Sequence, residues 1–163
     1  MLNLIRSVIV NGSERNFLIA KSEQEDPERS LSDNGRIDVS VMAEYVATLS
    51  LQVSKIYHSE KLRAKQTAEI LSQKLKPKNG LEEVKGLKPS DDIQGAVSII
   101  ENAKESIMIV GHLPHLSKLL SALVAGEQNK ELVEFDAGGI VCIAQKNEQW
   151  LIRWSLNRQT VRS

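Results

Sequence analysis

Apolar positions along the chain switch between two periods. From Leu31 to Leu49 the sequence LSDNGRIDVSVMAEYVATL places Ile37, Val41, Met42, Tyr45, Val46 and Leu49 at helical spacing, with Ser32 positioned as an N-cap. VSKIYH (53–58) is a short β-branched run that predicts a strand. KLRAKQTAEILSQKL (61–75) returns to helical spacing, with Leu62, Ile70, Leu71 and Leu75 expected toward the core. KPKNGLEEVKGLKPSDD (76–92) reads as a turn-rich connection, followed by a third helix around IQGAVSIIENA, with Asp91 and Asp92 at its start. The strand SIMIV (106–110) leads into a fourth helix, LPHLSKLLSALVAG, which Gly126 closes. GIVCIAQ and WLIRWSL, joined by the polar KNEQ, predict a terminal hairpin, with Trp150 and Trp154 on one face as core contacts. Alternating strands and helices with a hairpin finish predict an α/β fold: a three-layer α/β/α sandwich around a mostly parallel sheet.

Composition narrows the class. The 163 residues suit one domain with one core. The 21 basic and 21 acidic side chains cancel, so nothing points to nucleic acid or an anionic membrane as partner. Any anion must be bound by a local site. The single cysteine, Cys142, lies in an apolar run and reads as a core residue in a reducing compartment. The apolar start MLNLIRSVIV is short, interrupted by Arg6 and without a small-residue cleavage site, so a cytoplasmic protein is expected. No metal-ligand cluster or nucleotide loop is present, and no metal or cofactor is expected.

Two strand-to-helix junctions carry the candidate chemistry. In IVGHLPHLS an apolar run ends in Gly111 and His112. In IYHSEKLRAKQTAEIL, Arg63 lies in the first turn of a helix that starts just after a strand. Ligands of α/β sheets collect at the carboxyl ends of the strands. An arginine fork and an imidazole there suit a phosphoryl group. Read without further context, a solvated arginine and a capping histidine are the alternative.

The segments PERSLSDNGR, IYHSEKLRAKQTAEIL, LKPSDDI and IVGHLPHLS, in this order, resemble the histidine phosphatase superfamily (phosphoglycerate mutase-like), and within it the small SixA-type phosphohistidine phosphatases. The resemblance covers about residues 17–157. It implies a phosphatase with a phosphohistidine-bearing protein as partner, Arg63 as a phosphate ligand, and His112 as both phosphate ligand and catalytic histidine. The family's first motif is Arg-His-Gly at the end of the first strand, where the histidine attacks phosphorus.

Here that motif is degenerate, and two registers are open. With FLIAK as the first strand, Lys21, Ser22 and Glu23 take the three positions, and Lys21 and Ser22 become the expected phosphate ligands. Residues 1–15 are then an added N-terminal strand or hairpin, expected to pair with 16–20 through the turn at Asn11-Gly12. With MLNLIRSV as the first strand, Arg6, Ser7 and Val8 take them instead. The spacing to LSDNG favours the first. Neither has a histidine at the nucleophile position. The resemblance therefore implies a catalytically impaired or inactive pseudo-phosphatase, or an active phosphatase with a relocated nucleophile such as His58 or with water. His115 reads as structural or as a pocket wall.

Overall fold

Residues 16–21 and 30–161, which the computed structural model describes, form one six-stranded sheet and four helices. The strands are β1 (Asn16–Lys21), β2 (Lys55–Ser59), β3 (Leu81–Val84), β4 (Ile107–Gly111), β5 (Ile140–Lys146) and β6 (Gln149–Leu156). The helices are α1 (Asp33–Thr48), α2 (Leu62–Leu75), α3 (Gln94–Asn102) and α4 (His115–Ala125). The sheet order is β3-β2-β4-β1-β5-β6. The first four strands of that order run parallel, and β5 and β6 are antiparallel additions.

Alternation along the central strands builds the layers. Leu18, Ala20, Met108, Val110, Ile140 and Cys142 meet Met42, Val46, Ala64, Ala68 and Leu71 of α1 and α2. Ile19, Ile107, Ile109, Val141 and Ile143 meet Ala96, Ile100, Leu116 and Leu119 of α3 and α4. The arrangement is the α/β/α sandwich with a mostly parallel sheet. Met108 is fully buried on β4. Met108→Ala is expected to cost about 2–5 kcal/mol, read as a lower urea midpoint with an unchanged m-value.

Several elements follow from local chemistry. Ser32 caps α1, its Oγ accepting from the Gly35 amide at 3.0 Å. Gly126 closes α4 with φ 75°, a conformation glycine adopts without a Cβ clash. In the β5–β6 turn Asn147 and Glu148 both have positive φ, which matches the strand twist of a tight hairpin.

Four expectations are corrected. The connection 76–92 contains the strand β3, whose sequence LEEV lacks clear alternation but whose backbone pairs with β2. Ile37 and Leu62 face solvent, not the core. The buried stripe of α1 runs through Val39, Met42, Ala43 and Val46, and Ile37 sits nearly opposite Val39 on the helix. In α2 the stripe runs through Arg63, Ala64, Thr67, Ala68 and Leu71, leaving Leu62 at its outer edge. Trp150 and Trp154 lie on opposite faces, Trp154 with the α1/α2 layer and Trp150 with the α3/α4 layer. An irregularity in the β5–β6 pairing at Cys142/Ile143 matches Trp154 to Cys142 and Ile152 to Ile143, so one extra residue reverses the alternation. Finally, both edges of β1 are occupied, by β4 and β5, so residues 16–20 have no edge left for an added hairpin strand. Residues 1–15 themselves lie outside the described residues.

Among the described residues no helix is long and apolar enough to cross a membrane.

Candidate functional site

Parallel pairing brings three strand ends to one edge of the sheet. β1 ends at Lys21, level with Gly111 of β4. His58 of β2 pairs with Val110, so β2 and β4 also finish nearly together. His112 follows Gly111 directly, and α2 starts three residues after Ser59. Of the expected ligands, Arg63 and His112 therefore converge at this edge, and the backbone of Lys21 reaches it. Ser22 lies outside the described residues. The central position of β1 agrees with the register that begins at FLIAK.

The local backbone is built for close approach. A Cβ on Gly111 would stand 3.3 Å from Leu116 Cδ2 and 3.5 Å from the Leu87 carbonyl oxygen, so a side chain there would have to displace Leu116. Ser59 is fully buried, and its Oγ accepts from the Lys61 amide at 3.3 Å, steadying the turn into α2. Gln66 Oε1 accepts from the Leu31 amide at 2.7 Å and ties the approach to α1 onto the first turns of α2. A Lys88–Glu60 ion pair at 3.0 Å links the loop after β3 to the loop after β2. It raises the Lys88 pKa through the Glu60 hydrogen bond, although such an exposed pair adds little to stability.

Arg63 is only 4% exposed and His112 only 3%. A guanidinium held this deep is a strong positive charge in a medium that screens it poorly. Burial first, then the charges of Arg63 and Lys61, then His115, push the His112 pKa down from 6.5 to about 4. The imidazole is neutral at pH 7, and an anion in the site favours its protonation. Sulfate stays doubly charged across the relevant range. Its affinity is expected to rise as the pH falls from about 8 to about 5, and His112→Gln to flatten that slope. Isothermal titration at several pH values measures both.

The other titratable groups have different surroundings. His58 is buried, with Nδ1 at 2.9 Å from the Ser59 carbonyl oxygen. His115 is fully buried at the start of α4. Burial lowers its pKa, against the opposing pull of the Asp92 and Gly86 backbone and the Asp91 and Asp92 carboxylates. Those two carboxylates hold backbone: Asp92 Oδ1 accepts from the Gln94 amide at 2.7 Å, and Asp91 Oδ2 from the Lys88 amide at 2.8 Å. They open α3. Among the described residues no three His, Cys, Asp or Glu side chains gather as a metal site.

Sequence reasoning did not single out Lys61 or Gln66. The sequence signal for Gln66 is its place in the RAKQT run. Lys61 acquires its meaning only from its charge beside His112.

The sequence model of the histidine phosphatase superfamily (branch 1) matches residues 17–88. No curated protein matches the chain by sequence. The fold is similar to that of the protein histidine phosphatase SixA complexed with tungstate, with a TM-score of 0.76 and 22% identity over 90% of this chain and 99% of that one. It is also similar to an Agrobacterium tumefaciens protein provisionally assigned as the phosphohistidine phosphatase SixA (TM-score 0.72, 17% identity, 87% and 97% covered). A phosphoglycerate mutase from Plasmodium falciparum shares the fold more distantly (TM-score 0.63, 16% identity, 86% and 89% covered).

Proposed function

We propose that this chain, which belongs to the histidine phosphatase superfamily, is a SixA-like pseudo-phosphatase: a single domain over residues 1–163 that recognises a phosphoryl group on a protein histidine without the family's nucleophile. The observation that carries the reading is the end of β1. This strand lies beside the His112 strand and ends at Lys21, after which the sequence continues Ser22-Glu23. The three histidines of the chain are His58, His112 and His115, none of them at this position.

The substitutions weaken catalysis more than binding. A serine hydroxyl needs a base to attack phosphorus. Lys21 keeps a positive charge but cannot grip two oxygens as an arginine does. Glu23 takes the glycine position of the family's motif and brings a negative charge to it. Arg63 and His112 remain as phosphoryl ligands, and the sequence supplies Lys21 and Ser22 at the other ligand positions of the motif. The neutral overall charge and the lone buried cysteine support a cytoplasmic protein that binds phosphoproteins, not nucleic acid or membrane.

The test pairs binding with turnover. Tungstate or phosphohistidine is expected to raise the melting temperature of the wild type, with no hydrolysis above that of His112→Ala. Turnover that His112→Ala abolishes would overturn the pseudo-enzyme reading. A second reading then applies. If Nδ1–H of His58 donates to the Ser59 carbonyl, Nε2 keeps a lone pair, as a relocated nucleophile requires. His58→Ala would remove that turnover.

A further inference from the structure

We infer that His115 is a positioning residue of the phosphoryl site: a buried imidazole that ties the loop 86–92 to the first turn of α4 and so fixes where His112 stands. The inference deepens the phosphoryl-recognition reading above and rests on it.

The loop touches both junctions that carry the ligands. Toward β4, the Leu87 carbonyl oxygen and the Leu116 side chain close on Gly111, at 3.5 Å and 3.3 Å from where its Cβ would stand. Leu87 and Leu116 are fully buried in one core cluster. Toward β2, Lys88 pairs with Glu60 at 3.0 Å, and Glu60 precedes Lys61, whose charge reaches His112. The rest of the loop is held by its own residues. Asp91 Oδ2 accepts from the Lys88 amide and Asp92 Oδ1 from the Gln94 amide. A Cβ on Gly86, whose φ is 88°, would stand 4.0 Å from Gly95 Cα in α3.

His115 is the side chain that α4 sends toward this loop. It is fully buried, and the next residue, Leu116, donates its amide to the His112 carbonyl at 2.9 Å. A displacement of this turn therefore moves His112. The groups that face the ring are the backbone of Gly86 and Asp92, the carboxylates of Asp91 and Asp92, and His112 on its own element. Both backbone groups favour the protonated ring, so they present carbonyl oxygens. A neutral imidazole has one N–H to give to the two. Neither ring nitrogen is closed into a hydrogen bond of ordinary geometry. A buried polar group left in that state costs stability, and packing alone would favour leucine at this place. What the imidazole adds over leucine is a polar contact with the loop that borders His112, and in solution the ring closes one of the two contacts.

The experiment is a double-mutant cycle read by tungstate titration. His115→Leu is expected to weaken tungstate about tenfold in the wild-type background, and less than about twofold in His112→Ala, where Arg63 still binds the anion. His115→Asn or His115→Gln, which set an amide donor near the place of Nδ1 or Nε2, should restore most of the loss. Equal tungstate affinity of His115→Leu and the wild type overturns the inference. So do equal losses in the two backgrounds, and so does a loss that neither amide variant restores, because packing would then be its cause. The wild type carries a second test, independent of whether His115→Leu folds. Imidazole NMR is expected to show a His115 ring N–H shifted downfield by a hydrogen bond, and a ring N–H without that shift overturns the inference. A wild type that binds no tungstate overturns the functional reading itself, and the positioning inference falls with it.

Discussion

With Lys21, Ser22 and Glu23 replaced together by Arg, His and Gly, the chain is expected to hydrolyse phosphohistidine at least about 10³-fold faster than the wild type. β1 and β4 end level, Lys21 against Gly111, so whatever follows Lys21 starts from the height at which His112 follows Gly111. A histidine there supplies a neutral imidazole whose lone pair attacks phosphorus without a base. Arginine restores the two-point grip on the oxygens, and glycine removes both a negative charge and a Cβ. The control is the other register. Ser7→His with Val8→Gly, which completes an Arg-His-Gly run from Arg6, is expected to yield no activity. Single-turnover assays with acid-labile phosphoenzyme trapping read both variants. Activity from the 6–8 variant and none from the 21–23 variant would reverse the assignment of the first strand. His112→Ala added to the active variant should abolish the gain.

Arg63→Ala should reduce affinity for tungstate or phosphohistidine by about 10²-fold, and Arg63→Lys by less, because lysine keeps the charge without the fork. The substitution has a second readout on a different residue. Arg63 is the largest single charge that lowers the His112 pKa, second only to burial. Its removal moves the His112 titration upward, which imidazole resonances in an NMR titration report. Stability follows the same linkage. With the folded pKa near 4 and the ordinary value 6.5, the native state binds fewer protons than the unfolded chain between the two. Stability present above that window is therefore lost as the pH falls through it, and a shift of this size corresponds to about 3 kcal/mol. Arg63→Ala should lose less over the same interval. Unchanged anion affinity together with an unchanged His112 titration would place Arg63 away from the site.

How much of this was legible depends on whether the signal was local. The Ser32 cap, the Gly126 stop and the 146–149 turn are set by residues within a few positions of one another, and each lies where the pattern put it. The strand ending in Gly111-His112 and the helix opening at Arg63 were legible for the same reason. β3 was not. LEEV alternates weakly, and its backbone becomes a strand because β2 offers an edge. The faces of Trp150 and Trp154 were misread because one extra residue in β6 reverses every side chain beyond it, and only the pairing partner fixes where that residue falls. Ile37 and Leu62 fit a helical apolar pattern too wide for the surface actually covered.

The sequence by itself determined the order of elements and the types of group available: an arginine at a helix start, a histidine after a strand, and no histidine after FLIAK. Tertiary structure decided which of them meet. Parallel pairing of β1, β4 and β2 aligns strand ends separated by tens of residues along the chain. Burial then sets the His112 proton equilibrium and the reach of the Arg63 and Lys61 charges. Coulomb energy depends on distance and on the surrounding dielectric, and neither exists until the chain has folded.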